Sequence, residues 1–438
     1  MVSATTILGA AAVIIGFVCQ NIFIVYWLEA SVVGAYAVLL LCGLVFSVFF
    51  FFASLVFALS TGDWAVFRVS DDAYESKFFV SPFRPSGFRL SHAQALALSG
   101  FCNALNGILI VYASPAKRTP PLIQAVLQNC GVLFSVPFSK AVLGDRKRYL
   151  TPEPLRAAVI VVVAVAVAVA PTVMSFVRGD STDGLGGVDS LAWIAVYIAG
   201  LAPNAMLNVL QQLYFLRTGM LSDAVPAHEV RRGTLRALMF ANFMQPITYA
   251  LLFWIDVLPW FGKSSNVSTF VHVTADGLAC SIGTTVSSAA GSACPAATPV
   301  WAWAFMGAYV IAYFGGAVLN KESATFNMLC LVVVTTATAL IWEIPGTNPN
   351  PNNTPLWSVL VSLILSLLGS ALWKRWEGRT PAHEQFSVLS DDVGLGKLRA
   401  ATFDGDSASF LGGGGDDERL LDLTRNDESF EGSVQLGY

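Results

Sequence analysis

Residues 157–177 read AAVIVVVAVAVAVAPTVMSFV, twenty-one positions without one Asp, Glu, Lys or Arg. From 159 to 170 the tract is valine and alanine broken by a single isoleucine. Valine at this density makes a weak helix in water. Hydrocarbon leaves the backbone no alternative to internal hydrogen bonds, so there the same tract is an ordinary helix. At about 1.5 Å per residue it is long enough for a bilayer core about 30 Å thick. The whole chain repeats this character. Its 438 residues are 55% hydrophobic and 12% charged, with mean hydropathy +0.62, against about 25% charge in a soluble domain. A net charge of −4 and a pI near 5.6 supply no basic field for phosphate, which excludes a nucleic-acid partner. The sequence describes an all-α integral membrane protein with several spans.

Ten windows free of acids and bases are each long enough to cross: 2–28, 30–62, 90–116, 119–139, 157–177, 190–216, 237–255, 277–320, 323–342 and 344–373. In the 277–320 window a polar loop gives way to a helix near Val300. The first twenty residues lack a basic leader, so the reading there is a first span and not a cleaved signal peptide. Arg68, Lys77, Arg84 and Arg89, then Arg146, Lys147, Arg148 and Arg156, then Arg217, Arg231, Arg232 and Arg236 fall on one side, with Lys321 and the tail from Lys374. Lys117, Arg118, Arg178 and Lys263 fall on the other. This asymmetry places both termini in the cytoplasm. The sequons at Asn266 and Asn352 lie on the basic-poor side, where glycans are added. Five spans per half invert one half against the other, the plan of many secondary transporters. The expected organisation is residues 1–176 as the first half, 177–190 as a lumenal loop, 191–376 as the second half with a large lumenal loop at 261–299, and 377–438 as a disordered cytoplasmic tail.

The interior is poor in charge and rich in carboxamides. Asn103 and Asn106 stand three apart, Gln124 and Gln128 four apart, and Asn242 and Gln245 three apart, while Asn204, Asn208, Gln211 and Gln212 follow a helical stripe. Asn21 sits in the first window. Lipid cannot satisfy such groups. One by one they read as interhelical hydrogen bonds, each worth about 0.6 kcal/mol; together they point to a shared polar cavity. Glu29, Lys140, Asp256 and Glu343 lie near helix ends and read as interfacial. Cys280 and Cys294 share a loop on the non-cytoplasmic side, so a disulfide closing that loop is expected. No Walker A loop, HExxH or CxxC pattern occurs, so neither an enzyme nor a cofactor is expected.

The run 100–107 (GFCNALNG), then 119–124 (TPPLIQ), Leu127-Gln128 and 138–146 (FSKAVLGDR), with Pro203, Asn208, Phe215 and Arg217 further on, resembles the chloroquine-resistance-transporter-like family of the drug/metabolite transporter superfamily. Residues 276–280 (DGLAC) are similar to the start of that family's disulfide-held vacuolar loop. The resemblance implies ten transmembrane helices in two inverted five-helix repeats and a central cavity. It also implies export of amino acids, small peptides, thiol peptides or amphiphilic drugs from an acidic compartment. At Asn103, Gln211 and Gln212 the chain has amides where the family carries charge, which directs the expectation towards neutral or zwitterionic solutes. In the tail, Asp416 followed by Leu420 and Leu421 resembles an acidic dileucine sorting signal, with a clathrin adaptor as its partner and a vacuolar or endolysosomal membrane as its address. The competing readings are a nucleotide-sugar or organic-anion exchanger on the same fold and a non-transporting membrane scaffold or receptor. Buried Lys and Arg pairs that would hold phosphate are missing from the windows, which argues against the exchanger, and a scaffold has no need of paired carboxamide faces.

Overall fold

A computed structural model describes residues 4–30, 33–69, 90–143, 149, 151–178, 187–218, 220, 225–284, 294–322, 324–342, 344, 346–347 and 356–379. The described residues are helical, with no strand among them. In chain order the helices are α1 (Ala4–Glu29), α2 (Ala35–Thr61), α3 (His92–Ala113), α4 (Pro121–Leu127), α5 (Gly131–Leu143), α6 (Pro152–Arg178), α7 (Gly187–Arg217), α8 (Ala227–Leu251), α9 (Val267–Ser281), α10 (Thr298–Glu322), α11 (Ala324–Trp342) and α12 (Leu356–Arg379). The 3-10 turn Gln128–Cys130 joins α4 to α5, and the two form one apolar stretch, Ile123–Leu143. Together with α1, α2, α3, α6, α7, α10 and α12 this makes eight helices among the described residues that are long and apolar enough to cross a membrane. This is a multi-pass, all-α membrane protein. The windows at 237–255 and 323–342 fall in α8, whose first turns carry Glu229, Arg231, Arg232 and Arg236, and in α11, whose apolar part Val333–Trp342 is short.

Local chemistry sets the helix ends. Gly62 takes the left-handed conformation (φ 72°) that closes α2. Ser91 and Gln94 cap α3 reciprocally, and Pro121 opens α4 at a position where the missing N–H costs nothing. Three boundaries differ from the sequence reading. The region 261–299 is not all loop, because Asn266 accepts from the Thr269 N–H and starts α9. The loop expected at 177–190 is narrower, since α7 begins at Gly187. And α12 runs to Arg379, past the expected tail boundary at 377.

Neighbouring helices pack antiparallel: α1 against α10, α3 against α7, α2 against α8, and α6 against α12. Small residues permit the closest crossing. A Cβ on Gly16 would lie 2.7 Å from the Ala312 nitrogen, and one on Gly315 would lie 2.7 Å from the Gly9 carbonyl. Proline inside α8 leaves a gap in its hydrogen-bond ladder that α2 fills. Pro246 has no N–H to offer the Asn242 carbonyl, and Ser47 Oγ donates to it instead at 2.8 Å. Facing outward, α2 shows Phe49, Phe51, Phe52, Val56 and Leu59, and α12 shows Ile364, Leu367 and Leu368. An apolar outer surface of this kind suits lipid as its solvent.

Candidate functional site

Between the paired helices lies a cavity of about 120 Å³ walled by α1, α2, α3, α7, α8, α10 and α11 with the Gln128 turn. Two side-chain networks cross it. On one side Asn21 and Gln128 bond reciprocally: Gln128 Nε2 donates to Asn21 Oδ1 at 2.7 Å, and Asn21 Nδ2 returns a bond to Gln128 Oε1 at 3.2 Å. Gln128 Nε2 also reaches the Tyr197 hydroxyl at 3.3 Å. On the other side Asn103 Nδ2 donates to the Tyr309 hydroxyl at 3.1 Å and its Oδ1 accepts from Tyr313. Tyr249 donates to Gln245 Oε1 at 3.2 Å, and Gln245 Nε2 donates to Asn242 Oδ1 at 2.6 Å. Phe46 stacks on Tyr309 with ring centroids 3.7 Å apart, and Tyr309 on Tyr313 at 4.0 Å. The remaining wall is apolar, with Ile24, Leu39, Leu201 and Phe305. No residue of this wall carries a formal charge at neutral pH.

A smaller chamber of about 60 Å³ adjoins it, sharing Phe17, Gln20, Asn106, Asn204, Tyr309 and Leu331 with the larger one. Its polar side is a knot of amides from α7, α10 and α11. Asn320 Nδ2 donates to Asn208 Oδ1 and to Gln211 Oε1, both at 2.8 Å. Asn327 Nδ2 donates to Asn320 Oδ1 at 2.9 Å and to Asn208 Oδ1 at 3.1 Å.

One end of the bundle holds a compact polar and aromatic cluster. Asp256, buried just beyond α8, accepts from the Tyr112 hydroxyl at 2.7 Å and from Ser264 Oγ at 2.6 Å. Arg118 donates to the backbone carbonyls of Tyr112 (2.6 Å) and Phe261 (3.0 Å) and lies 3.9 Å over the Trp193 ring. Trp193 in turn stacks on Trp260 at 4.6 Å. Burial lowers the pKa of Lys263 nearby, against the pull of the Asp256 carboxylate. Tyr112 directly follows Ile110 and Val111, which line the larger cavity, so the cluster stands at that cavity's end.

The sequence-selected residues divide. Asn21, Asn103, Asn106, Gln128, Asn204 and Gln245 line the larger cavity, and Asn208 and Gln211 line the smaller one with Asn106 and Asn204. Gln124, Gln212 and Asn242 line neither. Gln124 sits in the first turns of α4, where its amide ties down the carbonyls of Ser114 and Thr119 at 2.7 and 2.6 Å. Gln212 is buried one residue beyond Gln211, which turns it about 100° around the helix. Asn242 donates to the Leu238 carbonyl at 2.8 Å and stands behind Gln245. Cys280 and Cys294 are joined as a disulfide, with Cα atoms 5.6 Å apart. Asn266 is exposed at the start of α9. Asn352, Asp416, Leu420 and Leu421 lie outside the described residues. Carboxamide spacing alone overlooked Gln20, Tyr197, Tyr249, Tyr309, Tyr313, Asn320 and Asn327. The signal for two of them was present, since Tyr309 and Tyr313 stand four apart in an apolar helix. Asn320 and Asn327 lie inside the charge-free windows 277–320 and 323–342, but neither has a second carboxamide at helical spacing within its own window.

No protein-family model matches the chain, and no characterised protein matches it.

Proposed function

We propose that this protein is a solute transporter of the chloroquine-resistance-transporter-like type, working by alternating access with ten spans in two inverted five-helix repeats. The observation that carries the reading is the uncharged cavity, whose wall draws on α1, α2 and α3 from one half and on α7, α8, α10 and α11 from the other. A site shared between halves is what rocking motions expose first to one side and then to the other. The packing pattern supports the repeat. Exchanging elements of equal rank (α1 with α7, α2 with α8, α3 with α10, α5 with α11, α6 with α12) turns the α1–α10 contact into α7–α3 and the α1–α11 contact into α7–α5. The same exchange leaves α2–α8 and α6–α12 in place.

The solutes of this reading are small organic molecules, the class that includes amino acids, small peptides, thiol peptides and amphiphilic drugs. The membrane is vacuolar or endolysosomal, with both termini in the cytoplasm and a sorting adaptor reading the tail. No catalytic residue or cofactor belongs to the reading. The test is uptake into proteoliposomes across a solute panel, comparing the wild type with Asn103→Leu and Gln128→Leu. Saturable uptake that these variants reduce, in protein that stays folded, is the expected result. A folded wild type that moves nothing in the panel would overturn it and favour the scaffold reading.

A further inference from the structure

A third hollow, of about 180 Å³, lies between α5, α6 and α12 and shares no lining residue with the two chambers above. Small side chains make it. Pro137, Pro154, Ala157 and Ala158 leave the space unfilled, while Gly369 brings α12 so close to α6 that a Cβ there would lie 3.1 Å from the Ala157 carbonyl. The wall is mostly apolar, and Leu155 on its rim is 49% exposed. Beyond that rim α6 shows Val159 and Val162, the kind of surface that lipid covers. Depth points to the occupant. Along α6 the hollow runs from Pro154 to Val161, a rise of about 10 Å that starts within a turn of the helix's first residue. At the same end Tyr149, Trp373 and Trp376 cluster with ring centroids 5.4–6.0 Å apart. Tyrosine and tryptophan gather where headgroups meet hydrocarbon, and one leaflet's hydrocarbon is about 15 Å deep. The hollow therefore begins at the interface and follows most of one leaflet.

Charge points the same way. Leu133, Val136 and Pro137 line the hollow from α5, and Lys140 continues their stripe one turn nearer the interface, exposed. Among the described residues of these three helices, the exposed charges at this end are Lys140, Arg156, Arg375 and Arg379 against Glu153. That one acid is engaged by Arg379 at 3.3 Å. We propose that the hollow is a binding site for an anionic phospholipid, with one acyl chain between α5, α6 and α12 and the headgroup at Lys140. A helix with its side chains is about 10–12 Å across, too wide for this space, whereas an acyl chain is not. A choline headgroup would add a positive charge to a basic surface, so the site selects lipids of net negative charge.

Native mass spectrometry of the full chain tests this, titrating phosphatidylglycerol and phosphatidylcholine of identical acyl chains. The first phosphatidylglycerol is expected to bind about fivefold more tightly than the first phosphatidylcholine. Lys140→Gln is expected to abolish that preference. Arg156 lies about 100° around α6 from Leu155 and from Ala157, off the lining face, so Arg156→Gln is expected to keep it. Ala158→Phe fills the hollow and is expected to weaken both lipids. Should Ala158→Phe fail to fold, the two charge variants decide alone. Equal binding of the two lipids by the wild type, equal losses in Lys140→Gln and Arg156→Gln, or unchanged binding in a folded Ala158→Phe would overturn the site. A dimer that Ala158→Phe dissolves would place a second copy of the chain there and overturn it as well.

Discussion

Asn21 and Gln128 show what a single amide does in this interior. Each satisfies the other between two elements, so replacing one removes its partner's shortest bonds and leaves only the longer ones, 3.3 Å from Gln128 to the Tyr197 hydroxyl and 3.4 Å from Asn21 to Thr338 Oγ1. Asn21→Leu is expected to cost about 1–3 kcal/mol of stability. The double variant Asn21→Leu/Gln128→Leu is expected to cost less than the sum of the two singles, because it leaves neither member of the pair alone. Thermal denaturation of the four proteins in one detergent measures the cycle; simple additivity would show that the pair is not coupled. A second residue-scale expectation concerns Asp63, just beyond the end of α2, which lies 2.9 Å from Arg232 in the first turns of α8. Burial pushes its pKa up, but the Arg232 hydrogen bond, the Ala65 N–H and the charges of Arg232 and His228 outweigh that and hold it below the usual value. A depressed folded pKa stabilises above the unfolded value, about 3.9, and that contribution disappears as pH falls through the folded value. Asp63→Asn is therefore expected to melt earlier than the wild type at pH 7 and to converge with it as the solution is acidified below pH ~4. A melting difference that persists unchanged into acid would contradict this.

At the scale of elements, the crossing of α1 and α10 depends on an absent side chain. Gly16→Val would force a branched group into the backbone of Ala308 and Ala312, 2.7–2.8 Å from where its Cβ must sit. Backbone cannot step aside as a side-chain tip can, so the expected loss is at the upper end of about 1–3 kcal/mol for overpacking. A monodisperse protein with unaltered melting temperature would disprove it. Elements were the most legible level of the sequence. Charge-free length marks α1, α2, α3, α6, α7, α10 and α12 because lipid imposes one simple rule on a spanning helix. What escaped that rule was not made of spanning helix. α9 is short and polar-flanked, and its start is legible only as the Asn266 cap. The site was legible in part for a related reason. Period identifies a face but not the neighbour it meets, so Asn103 and Gln128 were found in company with Gln124, which ties down nearby backbone carbonyls, and Asn242, which bonds the Leu238 carbonyl and Gln245 behind the cavity wall. Tyr309 and Tyr313 were missed because tyrosine passes as an apolar residue until its hydroxyl is seen to reach Asn103.

For the molecule as a whole, the distribution of Lys and Arg predicts one orientation in the membrane, with residues 261–299 on the far side from both termini. Tags at each end are expected to be digested together when the cytoplasmic face is exposed to protease, and Asn266→Gln to abolish any shift in mobility on glycosidase treatment that Asn352 does not account for. Tags digested from opposite sides would require an odd number of spans. The cluster at the Arg118 end bears on how such a molecule is watched at work. Trp193 lies under the Arg118 guanidinium and stacks with the Trp260 ring. Indole emission depends on what lies against the ring, so separating these groups changes brightness and wavelength without any dye attached. The chain thus carries its own optical gauge at that end, and Trp260→Phe is the variant that silences one half of it.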